Sequence, residues 1–462
     1  MRIEIQLRIV GDDNSVISAD EVLHFDKSDD RMEAIGLSFG NAKAVLAAIQ
    51  ERVVTAQAAS FLARHRCCNR CGRALLSKGP GRIQFRTAFG IIPLNSPRFY
   101  RCRCQPSASK TFGPLGELFT EHTAPELLYL ETKWASLVSF GLTAQLLKEV
   151  LPVGSTANAG TIRRHLHKVA ARHEADLGSE QPVGLESDPD NGQPVPQETV
   201  IVGIDGGYVR NWHDKKRNFE VMVGKSMASG CNDRYFGLVA SQDEQSARRL
   251  DAVLQGLPET RAVTMLTDGG DSVRALVSDM PAGSEHHLDW FHVAMRLTGL
   301  GQHAKGLAHH SPIEAVALQH RLERIKWRLW HGDASGALNR ARELAEDVAA
   351  LASPYSGLTR LAKATAGLAT DIGNNAAAIV NYSERWDHGE IISTAFAEAT
   401  VDLVVSRRFA KKQQMQWSKK GAHRLLQTRT RTLDGTLHDL FTTWYPAMPA
   451  NEGQTLPLAT AA

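Results

Sequence analysis

Two short apolar runs in this chain each end at an aspartate that is followed by two glycines. Residues 201–204 precede Asp205, and residues 265–267 precede Asp268. Apolar runs of this length, closed by glycine, predict buried β-strands. Because glycine has no Cβ, the pattern also predicts that a ligand approaches each carboxylate closely. Two carboxylates at the ends of core strands suit divalent cations held against a phosphate, which favours a nuclease or phosphoryl-transfer site.

Charge is strongly segregated along the 462 residues, although the net charge is only +3. Residues 61–105 contain ten Lys or Arg and no acid, and residues 407–431 contain nine and no acid. Residues 174–198 contain seven Asp or Glu and no Lys or Arg. Most charge runs form solvated surface, but two acid-free basic segments in a nearly neutral chain favour nucleic acid as a partner.

Five of the six cysteines lie in one short segment, which favours a metal site over disulfides in a cytoplasmic chain. A Cys-x-x-Cys pair and a Cys-x-Cys pair flank a predicted β-hairpin over residues 82–98, with Gly90 at its turn. Four thiolates suit tetrahedral Zn²⁺. The predicted ligands are Cys68, Cys71, Cys102 and Cys104, with Cys67 or His65 as substitutes for one of them. The alternative is a set of free, reduced cysteines.

Residues 137–151 and 161–173 have helical periodicity and are separated by a segment that contains proline and glycine. The second helix begins with Thr161, Arg163 and Arg164, which suit contacts with DNA. Two helices in this arrangement are typical of a helix-turn-helix. An ordinary helical hairpin is about equally compatible with the spacing.

The segment 199–292 predicts the order strand-strand-strand-helix-strand-helix-strand, which is that of an RNase H-like domain. This fold places its first and fourth strands side by side, so Asp205 and Asp268 are expected to be neighbours. A helical insertion is predicted over residues 293–387, with Trp327 and Trp330 more compatible with its core than with DNA contact.

Two-metal phosphodiester cleavage needs about three carboxylates, so a third acid is expected on a later helix. The candidates are Glu384, Glu390 and Glu398. Glu398 is preferred because its apolar helical context is suited to face the sheet. Basic residues follow it and are predicted to hold the DNA backbone, namely Arg407, Arg408, Lys411 and Lys412. Asp289 and His292 form a further pair that either orients the site or provides a helix cap with a buried histidine.

These patterns predict a multidomain α/β protein with six consecutive regions. They are a small αβ region (1–60), a zinc-ribbon-like segment (61–120), a helix-turn-helix-like region (121–175), an acidic linker (176–198), a catalytic domain (199–432) and a C-terminal tail (433–462). No apolar run is long enough to cross a bilayer, and the N-terminus has no signal-peptide core, so a cytoplasmic protein without a membrane partner is expected.

The chain resembles bacterial insertion-sequence transposases with an Asp-Asp-Glu site, specifically the ISKra branch, which is related to mutator-like elements. The resemblance covers most of the chain, and the segments that carry it are residues 202–210, 216–220, 266–270, 288–292 and 411–418. The Asp-x-x-His element at Asp289 and His292 is similar to one that mutator-like transposases carry between the second acid and the glutamate.

This resemblance implies an RNase H-like core with Asp205, Asp268 and Glu398 as ligands of Mg²⁺, for which Mn²⁺ can substitute. It implies a homo-oligomer that brings two element ends together, and a zinc segment and helix-turn-helix that recognise terminal inverted repeats. It also implies a nucleoid-associated location in a bacterial cytoplasm. The expected activity is cleavage at the element ends, followed by joining of the 3′-hydroxyls to target DNA. Two alternatives stay open: a non-catalytic DNA-binding regulator and a structure-specific nuclease.

Overall fold

A computed structural model gives the fold of most of the chain. Two compact units are present, one formed by Met1–Val169 with Leu437–Ala462 and one formed by Ala170–Thr436. The structure describes residues 1–11, 14–27, 31–32, 35–104, 109–155, 157–179, 200–254, 263–278, 280, 283–410 and 416–448.

The first unit begins with an antiparallel pair of strands and a long helix. Strands β1 (Arg2–Val10) and β2 (Val16–Asp26) pair along their length. Helix α1 (Phe39–Arg64) begins at Ser38, whose side chain accepts a hydrogen bond from the backbone N–H of Asn41 in a capping box.

The cysteine segment contains short strands. A hairpin is formed by β4 (Arg82–Thr87) and β5 (Gly90–Asn95), with Gly90 at φ +132° in its turn. Around it a three-stranded antiparallel sheet has the order β3 (Ser77–Gly79), β6 (Arg98–Tyr100) and β7 (Thr111–Phe112). Apolar residues of the hairpin pack against α1, which joins this segment to the rest of the unit.

Four helices follow the cysteine segment. They are α2 (Pro114–Leu118), α3 (Pro125–Leu137), α4 (Phe140–Val150) and α5 (Ala159–Ser179). Leu137 ends α3 instead of beginning α4, and residues 151–158 separate α4 from α5. Helix α5 also extends into the predicted acidic linker, whose residues 180–198 lie outside the described residues. The predicted C-terminal tail contains a further helix, Leu437–Trp444, whose Leu437 and Phe441 pack with Leu128 and Tyr129.

The second unit is built on a mixed five-stranded sheet. Its elements in chain order are β8 (Val200–Arg210), β9 (Asn218–Met227), β10 (Arg234–Leu238), α6 (Ser246–Leu254), β11 (Val263–Thr267), α7 (Asp271–Val277) and β12 (Glu285–Leu288). The spatial order is β10-β9-β8-β11-β12. Strand β8 pairs in parallel with β11 and antiparallel with β9, and it continues past Asp205 to Arg210 instead of ending at Ile204 as the sequence predicts.

Five helices follow the sheet and have an apolar core of their own. They are α8 (Trp290–Leu307), α9 (Pro312–Trp330), α10 (Ala334–Ala350), α11 (Leu358–Asn374) and α12 (Tyr382–Asp387). Trp330 packs against this core as expected. Trp327 does not: it is 66% exposed, because it faces away from the apolar stripe of α9.

The unit ends with helices that return to the sheet. Helix α13 (Ala395–Val401) continues into a π-helical segment (Asp402–Ala410), and α14 (Lys419–Leu433) packs on β10. Arg429 of α14 is 2% exposed and donates hydrogen bonds to the carbonyls of Leu403 and Val404 in the π-helical segment. Within the described ranges, no helix combines the length and the apolarity that crossing a bilayer requires.

Candidate catalytic and metal sites

Asp205 and Asp268 occupy equivalent positions on neighbouring parallel strands. Ile204 of β8 is paired with Thr267 of β11; Asp205 is the next residue of β8, and Asp268 directly follows the end of β11. The backbone N–H of Gly206 donates to Asp205 Oδ1 (2.7 Å), and that of Gly270 donates to Asp268 Oδ1 (2.9 Å). The Asp-Gly-Gly motif therefore holds both carboxylates through its own backbone donors.

Both aspartates point to the face of the sheet that α13 covers. Ile204 and Met265 lie in the apolar core on the other face, and side chains alternate along a strand. On the α13 face, a Cβ at Gly203 would overlap the ring of Phe396, and a Cβ at Gly207 would lie 3.2 Å from Val401. The glycines of β8 thus allow α13 to lie directly on the strand that carries Asp205.

Glu398 projects from α13 and is exposed. The pKa of Asp205 is raised to about 6, mainly by burial; the hydrogen bond from Gly206 lowers it, and the negative charges of Asp268, Glu398 and Asp289 also raise it. The carboxylates are therefore close enough to repel one another. The other two candidates are engaged elsewhere: Glu384 bonds to Asn381 near the start of α12, and Glu390 pairs with Arg385 (2.5 Å).

The glycines after each aspartate face protein side chains, which differs from the expected approach of a ligand. A Cβ at Gly206 would lie 2.8 Å from Glu220 Oε1. Gly269 has φ +77°, and a Cβ there would lie 2.6 Å from Leu288 and 2.7 Å from Asn375. Glycine is required at positions 206 and 269 because neighbouring side chains occupy the space that a Cβ would need. The side chains of Asp205 and Asp268 remain partly exposed.

Glu220 is a fourth acid near the strand ends that sequence patterns did not single out as a site residue. It lies on β9, where it is paired with Tyr208 of β8, and it accepts a hydrogen bond from the hydroxyl of Ser272 (2.6 Å). Because it meets Gly206, which faces away from Asp205, it lies on the other face of the sheet. Its position ties α7 to β9, and no local motif signals that contact.

Asp289 is 3% exposed and connects two helices. Its carboxylate accepts hydrogen bonds from the N–H of Phe291 (2.8 Å) at the start of α8, from the N–H of Thr394 (3.0 Å) and from the Thr394 hydroxyl. Thr394 is the residue at which α13 begins. The structure therefore gives Asp289 the capping role and adds a second one, which is to position the helix of Glu398.

His292 is half-buried and accepts a hydrogen bond from Arg296 Nε (3.0 Å) at its Nε2. It lines a small cavity together with Asp268 and Asp371, and Asp371 pairs with Arg296. Burial is the main cause that raises the pKa of Asp371. His292 thus lies beside Asp268, whereas Asp371 comes from the helical insertion, where the sequence offers no motif to reveal it.

The predicted cations after Glu398 differ in their surroundings. Arg407 is exposed and pairs with Asp402 (3.3 Å). Arg408 is 0% exposed, burial lowers its pKa to about 9, and its guanidinium lies 5.2 Å from the ring centre of Trp417. A DNA contact by Arg408 does not fit this burial, because helix periodicity turns it into the interior. Lys411 and Lys412 lie outside the described residues.

Four cysteine sulfurs converge in the first unit. The Sγ atoms of Cys68, Cys71, Cys102 and Cys104 all lie within 4.8 Å of one another. The Sγ atoms of Cys68 and Cys104, and those of Cys71 and Cys102, are 3.5 Å apart. A tetrahedral zinc site with Zn–S bonds of about 2.3 Å has sulfurs about 3.8 Å apart, so the quartet could hold a metal such as zinc.

The turn between the first two cysteines is built for this geometry. Gly72 has φ +70° and donates its N–H to the carbonyl of Cys68 (2.8 Å), and Arg70 donates to the carbonyl of Cys104 (2.7 Å). A hydrogen bond from the backbone of Arg70 is the main cause that lowers the pKa of Cys68 to about 7. Cys67 lies outside the quartet, and His65 Nδ1 is 2.8 Å from the carbonyl of Phe61, so neither substitute is needed.

The predicted DNA-binding helix presents its arginines but not its threonine. Arg163 and Arg164 are exposed. Thr161 is 7% exposed, and its hydroxyl accepts a hydrogen bond from Arg164 (3.2 Å). Of the three predicted DNA-contacting residues of this helix, only the two arginines are therefore exposed, and Thr161 faces the interior.

In the second unit, the charges of Asp268 and Glu398 act on Asp205, so the three carboxylates interact with one another. In the first unit, the sulfurs of four cysteines converge. Comparison with models of known protein families gave no match, and comparison with curated proteins gave none either. The function has to be inferred from these residues and their geometry.

Proposed function

We propose that this chain is an insertion-sequence DNA transposase with an Asp-Asp-Glu active site. The observation that carries the proposal is the placement of Asp205 and Asp268 at matched positions of adjacent parallel strands, with the helix of Glu398 on the same face. Electrostatic coupling of Asp205 to both other acids supports the same grouping.

The arrangement of the second unit supports an RNase H-like assignment for its sheet. Counted from its first strand, the order is 3-2-1-4-5, with the first three strands antiparallel and the last two parallel to the first. The first acid lies on the first strand, the second directly follows the fourth strand, and the five helices α8 to α12 lie between the fifth strand and the helix of the third acid. This is the order of elements that the resemblance implies.

The three acids also suit hard divalent cations. Carboxylate oxygens are the preferred ligands of Mg²⁺, and Mn²⁺ can take its place. Among the described residues, the ion pairs of Lys and Arg are made with other acids, such as Asp243, Asp271 and Asp402, and not with Asp205, Asp268 or Glu398. When bound there, such ions would activate the attacking oxygen and stabilise the leaving oxygen.

The reaction we propose has two steps at phosphorus. Water attacks the phosphate at an element end, the P–O3′ bond breaks, and the element keeps a free 3′-hydroxyl. That hydroxyl then attacks a phosphate of target DNA, and one phosphodiester replaces another without an external energy source. Asp205 and Asp268 are fixed by glycine N–H groups, and Asp289 holds the start of the Glu398 helix, so the chain supplies a preorganised site.

DNA recognition would fall to the first unit, in which the cysteine quartet would bind structural Zn²⁺ and Arg163 and Arg164 are exposed. We assign terminal inverted repeats and target DNA as substrates, and a homo-oligomer as the form that joins two ends. Arg407 would add a contact to the DNA backbone that depends on salt but not on sequence.

The proposal is tested by cleavage and strand transfer on the DNA ends that flank the gene. Wild type, Asp268→Asn and the control Asp271→Asn are compared with Mg²⁺, with Mn²⁺ and with EDTA. The Asp271 side chain is 91% exposed and pairs with Arg274, so the control changes a neighbouring acid outside the site. We expect metal-dependent products from wild type and the control, and DNA binding without products from Asp268→Asn.

The other outcomes separate the alternatives. Full activity of Asp268→Asn overturns the site assignment. Binding without cleavage by the wild type in every metal condition favours the regulator, and cutting of branched DNA regardless of end sequence favours the nuclease.

A further inference from the structure

Beyond Asp205, strands β8 and β9 continue as a pair past the end of β11. Strand β11 ends at Thr267, opposite Ile204, whereas β8 continues to Arg210 and stays paired with β9. We call residues 208–218 the ribbon. At about 3.3 Å per residue, its first residue, Tyr208, lies about 10 Å along the strand from Asp205. The ribbon therefore begins within a few nucleotides' length of the carboxylates.

The ribbon carries exposed aromatic and basic side chains. Tyr208 is 68% exposed and Trp212 is 59% exposed. The ribbon contains four Lys or Arg and one acid. The acid, Asp214, accepts a hydrogen bond from the N–H of Lys216 (3.1 Å) and lies 3.7 Å from Arg217, so it stabilises the turn. The exposed basic residues are Arg210, Lys215, Lys216 and Arg217.

The backbone of the ribbon is anchored although its rings are outside. The backbone N–H of Trp212 donates to the carbonyl of Trp417 (2.9 Å), and the backbone N–H of Trp417 donates to the carbonyl of Arg210 (2.9 Å). Trp417 itself is 5% exposed. The N–H of His213 bonds to Asn211 Oδ1 (3.0 Å). These bonds fix the position of Trp212, which lowers the entropy that a partner's binding would cost.

Aromatic rings interleaved with cations suit one class of partner, which is nucleic acid with unpaired bases. Bases stack on exposed aromatic rings, and phosphates are attracted to neighbouring cations. A paired duplex offers phosphates to the cations, but its bases are already stacked on one another. An exposed ring such as that of Trp212 therefore adds affinity only where the strands are separated.

We propose that the ribbon binds single-stranded DNA a few nucleotides from the cleaved phosphate, with Trp212 as the stacking platform. Tyr208 is not part of this platform, because it is paired with Glu220 and its ring lies on the face of the sheet away from Asp205. This inference rests on the proposed function, since it places the strand beside the carboxylates. It adds that the active site receives DNA whose bases are unpaired on the ribbon side.

Binding of a fluorescein-labelled oligothymidylate of about 16 nucleotides tests the inference, with EDTA present so that cleavage does not contribute. Wild type, Trp212→Ala, Trp212→Phe and Trp327→Ala are compared by fluorescence anisotropy. Trp327 is a matched control because it is 66% exposed and lies on α9, away from the ribbon. Loss of one stacking platform is expected to weaken binding by roughly 5- to 150-fold.

We expect this loss for Trp212→Ala, recovery for Trp212→Phe, and wild-type binding for Trp327→Ala. Binding of a fully paired duplex should change little in all variants. Equal binding by Trp212→Ala and wild type, or a wild type that does not bind the oligonucleotide, overturns the inference. The cleavage assay is separate, so stacking without cleavage would count against the transposase, and cleavage without stacking would count against the ribbon.

Discussion

The carboxylate of Asp289 binds both the backbone N–H and the hydroxyl of Thr394, although 104 residues separate them in the chain. Helix α8 begins at Asp289, and α13, which carries Glu398, begins at Thr394. The contact joins the two ends of the helical insertion and fixes the position at which the chain returns to the sheet. The placement of Glu398 therefore depends on a buried residue, Asp289, that is far from it in sequence.

Replacing Thr394 with valine tests this dependence. The change removes the hydroxyl donor and leaves the buried Asp289 with fewer hydrogen bonds, which costs about 1–3 kcal/mol. We expect cleavage to fall about tenfold or more while DNA binding stays at the wild-type level. Thr394→Ser keeps the hydroxyl and is the control. If Thr394→Val cleaves like Thr394→Ser, the contact does not position the helix of Glu398.

Close packing of α13 on β8 gives a second prediction, at Gly203. A Cβ there would overlap the ring of Phe396, so Gly203→Ala must displace α13 or the strand. Overpacking of this kind costs about 1–3 kcal/mol, and we expect a lower melting temperature together with reduced cleavage. Gly299→Ala is the matched control, because a Cβ at this position in α8 meets no atom within 4 Å. It should leave stability unchanged or raise it by up to about 1 kcal/mol. An unchanged melting temperature for Gly203→Ala would contradict the packing.

The cysteine quartet predicts one tightly bound zinc ion per chain. Cys71→Ser removes one thiolate, and we expect zinc content measured by mass spectrometry to fall while the first unit loses stability. Cys67→Ser is the control, since Cys67 is exposed and outside the quartet. Equal loss of zinc in both variants, or wild type that binds none, would show that the four sulfurs are free thiols.

Much of this arrangement follows from local pattern. The strands of the second unit are rich in apolar and β-branched residues, so most of their limits could be predicted within a few residues. The spacing of the cysteines identified the quartet, because a metal site uses the same ligand chemistry in any fold.

Long-range packing accounts for what sequence could not provide. The contact of Asp289 with Thr394, the cavity position of Asp371 and the meeting of Gly206 with Glu220 join residues that no motif links. The number of basic residues in a segment also does not predict which of them are exposed. Arg408 and Arg429 belong to a basic segment, yet both are buried. Composition reports charge but not the side of a helix on which it lies.

The raised pKa of Asp205 gives the final prediction, which concerns stability without metal. Its carboxyl has a pKa of about 6 in the folded chain and an ordinary value of 3.8. The folded state therefore binds a proton more tightly than the unfolded state, so this group's contribution is complete below about pH 4 and is lost as the pH rises through 6. Because Asp205 is partly exposed, solvent screening limits the contribution to on the order of 1 kcal/mol. With EDTA present, Asp205→Asn should gain stability relative to wild type as the pH increases from 4 to 7, by a few degrees in melting temperature. Asp271→Asn, which changes an exposed acid, should show no such trend. A difference between Asp205→Asn and wild type that does not vary with pH would mean that burial and the neighbouring carboxylates do not hold a proton on Asp205.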